Sequence, residues 1–238
     1  RVARVASGGR FGTAQSAFQV GGNTGSAIGP LLAAAIIVPN GQIASAWFML
    51  FAFIAVCVLF KVSHWTIHHA HKWVSNSAAS TAHKLHGKTL LRALIVMSLL
   101  ILAKFTYIAS LSNYYTFYLI EKFHVPLQHA QLYLFAFLAA VAVGTFAGGP
   151  IGDRIGRKAV IWISFIGMVP FALMMPYANL LWTVIFTMLA GMILSSAFAA
   201  MVVYAQEAVP GRVGMVAGMM FGLMFGISGI AAAALGVL

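Results

Sequence analysis

Three carboxylates, one cysteine and a charged fraction of 7% are all that this 238-residue chain contains of those groups. The shortage of charge excludes an ordinary soluble domain, in which about a quarter of residues are charged. With Cys57 alone no intrachain disulfide can form, and its place inside an apolar run leads to the expectation of a small packing residue. Paired catalytic acids, a nucleophile with a base and a metal-ligand set at one depth are all missing, so the sequence does not read as an enzyme and implies no cofactor or metal. What the chain has instead is apolar surface. Its residues are 62% hydrophobic and its mean hydropathy is +0.96.

The apolar runs fall at about 12–38, 43–61, 90–120, 131–150, 159–177, 181–204 and 213–238. A bilayer core of about 30 Å is crossed by a helix of about 20 apolar residues, whereas barrel strands alternate apolar and polar over about ten. The fold class is therefore all-α, a polytopic membrane protein with seven transmembrane helices.

A net charge of +11 would point to nucleic acid in a soluble protein, but in a membrane protein it reports orientation. The connectors alternate sides, and all Lys and Arg except Lys104 and Lys122 fall on one of them. That side is expected to be cytoplasmic and no nucleic-acid partner is implied. Because the chain opens on arginines without an initiating methionine and ends inside an apolar run, it is expected to be a fragment. A short repeat supports this, since "GRFG" at Gly9–Gly12 and "GRVG" at Gly211–Gly214 open two spans from the same side, with Arg10 and Arg212 202 residues apart.

Small residues recur every fourth position at Gly21, Gly25, Gly29 and Ala33, at Gly144, Gly148 and Gly152, and at Gly214, Gly218, Gly222 and Gly226. Such strips let helices approach closely, either as static packing or as smooth faces for rocking. Pro30 and Pro170 each remove a backbone donor and are expected to bend their spans. Lys61 to Thr89 is the one long polar segment and reads as a flexible linker against anionic lipid heads. Its histidines, His64, His68, His69 and His71, have no acid or thiol beside them and imply no metal site.

"GGPIGDRIGRK" places Gly149, Asp153, Arg154, Gly156, Arg157 and Lys158 in a pattern that resembles the cytoplasmic loop motif G-x-L-x-D-R-x-G-R-K of the major facilitator superfamily, with Ile151 in place of leucine. Gly25, Gly29 and Pro30 resemble that family's antiporter motif, although Ala33 and Ala34 replace its closing glycines. The runs "RVASGGRFGTAQSAFQVGGN", "SNYYTFYLIEKF" and "VYAQEAVPGRVGMVAG" are similar to bacterial drug-efflux members. The resemblance implies that 1–62 ends an N-terminal six-helix half (helices five and six), that 63–89 is the central linker, and that 90–238 holds helices seven to eleven. It further implies a monomeric exporter in the bacterial inner membrane, moving a small molecule by proton antiport with alternating access.

Asp153 is the acid that orientation does not explain. A carboxylate there can accept amides at a helix N-terminus, and Arg157 could reach Glu207, giving a conformational latch near the loop motif and Arg212. Lys104 lies about midway along its span, where a cation is expensive and faces a cavity by default, so it is the candidate contact for an anionic substrate such as a phosphonate. Tyr107, Leu111, Tyr114 and Tyr118 follow it at helical spacing, which makes Tyr107 and Tyr114 the next candidates. Tyr115 and Tyr118 can alternatively belong to an aromatic belt. Asn113 falls nearly opposite Lys104 and shares its cavity only if the helix breaks; otherwise it bonds to a neighbouring helix. Proton coupling needs an intramembrane acid or histidine, and none of Glu121, Asp153 and Glu207 lies at the midplane. Seven spans and a buried lysine also fit a retinal-type photoprotein or receptor, and a major facilitator member carrying a metabolite is a further alternative.

Overall fold

The computed structural model describes residues 10–40, 46–73, 87–209 and 213–236. They form eight α-helices, α1 (Phe11–Asn40), α2 (Trp47–Trp73), α3 (Gly87–Phe123), α4 (Leu127–Ile155), α5 (Arg157–Met174), α6 (Leu180–Ser195), α7 (Ala197–Ala208) and α8 (Val213–Leu235), with a 3₁₀ turn at Met175–Tyr177. Since α6 and α7 are successive parts of one apolar span, the helices make seven rods. Among the described residues six are long and apolar enough to cross a membrane, α1 being the one outside that count.

Three differences from the sequence expectation have local causes. Helix α2 continues to Trp73 and α3 starts at Gly87, so the polar segment is helical at both ends. No glycine or proline stands between Trp47 and Trp73 to stop the first of these helices. The span expected at 181–204 is broken at Ser196, whose amide bonds to Ile193 O at 3.3 Å and whose hydroxyl donates to the same carbonyl at 2.7 Å. The Ser196 hydroxyl competes for the helix ladder in this way and interrupts it. Between α4 and α5 a single residue, Gly156, turns the chain with φ of 93°, a conformation that favours glycine.

Two compact units are present. The smaller covers Thr24–Thr81 and includes α2, whose residues Trp47–Trp65 are exposed or half-buried and apolar around most of the helix. A helix apolar all round suits hydrocarbon rather than water. The larger unit joins Ala3–Asn23 to Ala82–Leu238.

Within the larger unit, α7 is the centre. Residues Ala197 to Val203 are buried on every face, and Phe198, Met201 and Val202 pack with Ile101 of α3, Val160 of α5, and Val216 and Met220 of α8. A second cluster joins Leu111, Tyr115 and Leu119 of α3 to Ala130, Phe137 and Val141 of α4. Burial in lipid gains no hydrophobic free energy, so shape decides such contacts. The strip Gly144, Gly148 and Gly152 meets that demand: a Cβ on Gly144 would strike the Met192 backbone, one on Gly148 the Ser196 backbone, and one on Gly152 would rest 3.8 Å from Ala200 Cβ. Steps of four on α4 are thus matched by steps of four along α6 and α7. By contrast, a Cβ on Gly21, Gly214, Gly218, Gly222 or Gly226 would meet nothing among the described residues.

Candidate functional site

Charge and backbone polarity converge at one end of the larger unit. Asp153 lies in the last turn of α4, where its own helix dipole disfavours a carboxylate. It faces the first turn of α1, where free amides favour one. Gly12 N donates to Asp153 Oδ1 at 2.9 Å, Thr13 N to Oδ2 at 2.8 Å and Thr13 Oγ1 to Oδ2 at 2.8 Å. Charge-assisted bonds of this kind are about twice as strong as neutral ones.

Arg157, one turn beyond Asp153 on α5, stands with Nη2 at 4.0 Å from Asp153 Oδ1 and pairs through Nη1 with Glu207 Oε2 of α7. Four helix ends, those of α1, α4, α5 and α7, are therefore tied by one chain of polar contacts. Lys158 lies over the Tyr204 ring at 5.8 Å, beside an open cleft of about 460 Å³ that Arg157 and Glu207 also line. Arg154 is exposed in the last turn of α4, where its charge complements the helix dipole.

The close approach of α1 to α4 depends on glycine at both surfaces. A Cβ on Gly12 would lie 2.8 Å from Gly149 O, and one on Gly149 would strike Ser16 Oγ and Gly12 O. Further along the same seam Asn23 Nδ2 donates to Thr145 Oγ1 at 2.9 Å, and Thr145 Oγ1 itself donates to Val141 O at 2.8 Å. Ser16 and Gln19 are buried between these contacts. The sequence reading missed this polar row on α1, whose signal was Gly12, Ser16, Gln19 and Asn23 recurring every three or four residues along one face.

The second polar centre lies in mid-span. Lys104 is 2% exposed, its Nζ donates to Ser195 O at 3.4 Å, and it rests 4.9 Å from the centroid of the Phe198 ring and 5.1 Å from that of Phe105. The ammonium does not snorkel to either end. It meets the α6 carbonyl terminus, where the dipole favours a cation.

The other candidates divide. Tyr107 and Tyr114 are half-buried on α3, while Asn113 is exposed and donates to Ala109 O at 2.7 Å, so the structure separates it from Lys104. Its amide bonds to its own helix, and α3 is unbroken there, which removes the condition for Asn113 to share the lysine's surroundings. Tyr115 is 1% exposed and packs on Phe137, so it is a core residue and not part of a surface belt. Gly25 is exposed on α1; Gly29 and Pro30 lie within that helix, but only their backbone is described. Arg212 lies outside the described residues, as do the side chains of His68, His69 and His71.

Comparison with known proteins follows the same lines. Residues 2–236 match the model of the Major Facilitator Superfamily. The chain is 52% identical over 238 residues to the fosmidomycin resistance protein of Escherichia coli (strain K12), a match covering all of this chain and 59% of that protein. It is 41% identical over 244 residues to the uncharacterised MFS-type transporter YfnC of Bacillus subtilis (strain 168), again all of this chain and 59% of the relative. The chain thus spans 59% of the length of each of these relatives. No solved structure matches it.

Proposed function

Since the chain belongs to the Major Facilitator Superfamily, we propose that it works as part of a secondary active transporter that exports a small drug-like compound across the bacterial inner membrane by proton antiport. This membership favours a transporter over a retinal-type protein. The substrate reading is a compound such as fosmidomycin, taken from the name of the Escherichia coli relative. Its phosphonate suits the ammonium of Lys104, with Tyr107 and Tyr114 as neighbouring contacts. In this reading 1–62 belongs to the N-terminal half, 63–89 links the halves on the cytoplasmic side, and 90–238 belongs to the C-terminal half of a monomeric transporter. The coupled proton is carried by a group other than Glu121, Asp153 or Glu207.

One observation carries the proposal: Asp153 accepts three bonds from Gly12 and Thr13 while Arg157 joins Glu207 beside it. In the domain assignment above, α1 belongs to one half and α4, α5 and α7 to the other. The cluster therefore works as a latch that closes the cytoplasmic end when the transporter faces outward. Opening inward must break the three bonds from Gly12 and Thr13 to Asp153, while Arg157 and Glu207 stay paired within one half, so the strength of those three bonds sets the balance between the two states.

Asp153→Asn in the complete protein tests this. A cysteine placed at the buried Ser16 is expected to react with an impermeant maleimide several-fold faster in inside-out vesicles when Asp153 is Asn, and export should fall. Equal labelling and equal export in the two forms would remove the latch from the mechanism.

A further inference from the structure

A buried lysine needs an acceptor, and Lys104 has a poor one. Its ammonium offers three donors and no acceptor, yet among the described residues it makes one long bond, to Ser195 O at 3.4 Å. Neither Arg157-linked acid pairs with it, and Glu121 is exposed near the far end of α3. The rings of Phe105 and Phe198, themselves edge to face at 5.2 Å, supply only their faces.

A second unsatisfied donor belongs to the residue that Lys104 touches. Ser195 is 1% exposed and its hydroxyl has no partner among the described residues. Its neighbour Ser196 is fully engaged, donating to Ile193 O and receiving Ser164 Oγ at 2.6 Å. The Ser164 and Ser196 pair thus fixes the break between α6 and α7 but does not satisfy Ser195. An ammonium and a hydroxyl short of acceptors, at one helix break and flanked by aromatic rings that exclude water, call for an acceptor-rich group.

We propose that Lys104 and Ser195 are the two donors of an oxyanion site at the α6–α7 break, which takes the acidic group of the transported compound. The proposal rests on the export reading above and adds to it a second contact residue and a charge requirement. On binding, the ammonium exchanges the Ser195 carbonyl for the anion, and the Ser195 hydroxyl supplies the second bond. A neutral compound of the same shape gains neither bond. The helix break is therefore part of the recognition site as well as an irregularity of the fold.

The test compares Ser195→Ala, Ser195→Thr and Lys104→Ala with the parent in the complete protein, reading export and binding of fosmidomycin. Ser195→Ala should raise the half-saturating concentration about tenfold, as expected for losing one hydrogen bond to a charged group. Ser195→Thr, which keeps the hydroxyl, should stay near the parent. Folding is not the limit here, because removing an unpartnered buried hydroxyl leaves thermal stability unchanged or raises it.

If Ser195→Ala binds like the parent while Lys104→Ala does not, the two-donor site is overturned and the export reading stands. The same holds if neither substitution changes saturation. A parent that exports no fosmidomycin counts against the export reading. The site is then decided separately, by whether methylphosphonate shields a Ser195→Cys thiol from a maleimide: shielding supports it and its absence overturns it.

Discussion

Gly12 donates its amide to Asp153 Oδ1 at 2.9 Å, and a Cβ on Gly12 would stand 2.7 Å from that same oxygen. The residue that makes the bond must therefore be the one without a side chain. Proximity and capping are a single requirement at this position, because the amide reaches the carboxylate only if α1 approaches α4 to backbone contact.

Gly12→Ala is accordingly expected to separate α1 from α4 and to lose the cap. The cost should be about 0.5–2 kcal/mol, the range for losing a helix N-cap. Thermal unfolding of the purified protein in detergent measures it, with Gly21→Ala as the control. A Cβ on Gly21 meets nothing among the described residues and alanine improves helix propensity, so the control should be neutral or slightly stabilising. Equal midpoints for the two variants would contradict the close approach.

The elements of this site were legible in the sequence to different degrees, for physical reasons. The spans follow from length and hydropathy, which the bilayer imposes. Asp153 could be singled out because an acid is rare in this chain, and Arg157 and Glu207 because few charges were available to pair. Its partners Gly12 and Thr13 carry no such signal, since a backbone amide is common to every residue and only the fold brings it to the carboxylate. The break at Ser196 was hidden for the same reason: the side chain competes with the ladder in one rotamer and not in others. Lys104 was legible as a buried cation. Its neighbours were not, because the helical spacing that selected Tyr107 and Tyr114 fixes their side of α3 but not the distance of α6.

Arg157 and Glu207 form a pair whose side chains are 22% and 24% exposed, so solvent screens it and the direct coupling should be modest. A double-mutant cycle with Arg157→Ala and Glu207→Ala is expected to give about 0.5–1 kcal/mol. Exchanging the two residues should not restore the parent. A glutamate at position 157 would face Asp153, whose Oδ1 lies 4.0 Å from Arg157 Nη2. If the exchanged pair matches the parent in stability and in maleimide labelling at position 16, Asp153 does not interact with residue 157.

Glycines with the same sequence spacing should differ sharply in tolerance. Gly148→Ala drives a methyl into the backbone of Ser196, and neither helix can yield without moving its neighbours. Overpacking of this sort costs about 1–3 kcal/mol. Gly218→Ala meets nothing among the described residues and should be neutral or stabilising. The yield of monodisperse protein after detergent extraction, with its unfolding midpoint, separates the two. Comparable losses at both positions would mean that the strip on α8 is packed as tightly as the one on α4.

Thr145 serves two groups at once, accepting from Asn23 Nδ2 at 2.9 Å and donating to Val141 O at 2.8 Å. Thr145→Val keeps the shape but leaves the Asn23 amide with one acceptor fewer, at a cost of about 1–2 kcal/mol. Asn23→Leu in the same background should recover most of that loss, because replacing both members of a hydrogen-bonded pair by apolar groups of similar shape is nearly neutral. If the seam only packs helices, the recovered double variant will also export normally. If it must part during transport, the apolar pair should hold α1 to α4 differently and change the export rate at restored stability. Unfolding midpoints and export rates on the same three variants distinguish these outcomes. We expect stability to return and the rate to remain altered, since the proposed latch requires α1 to leave α4 when the Asp153 cap opens.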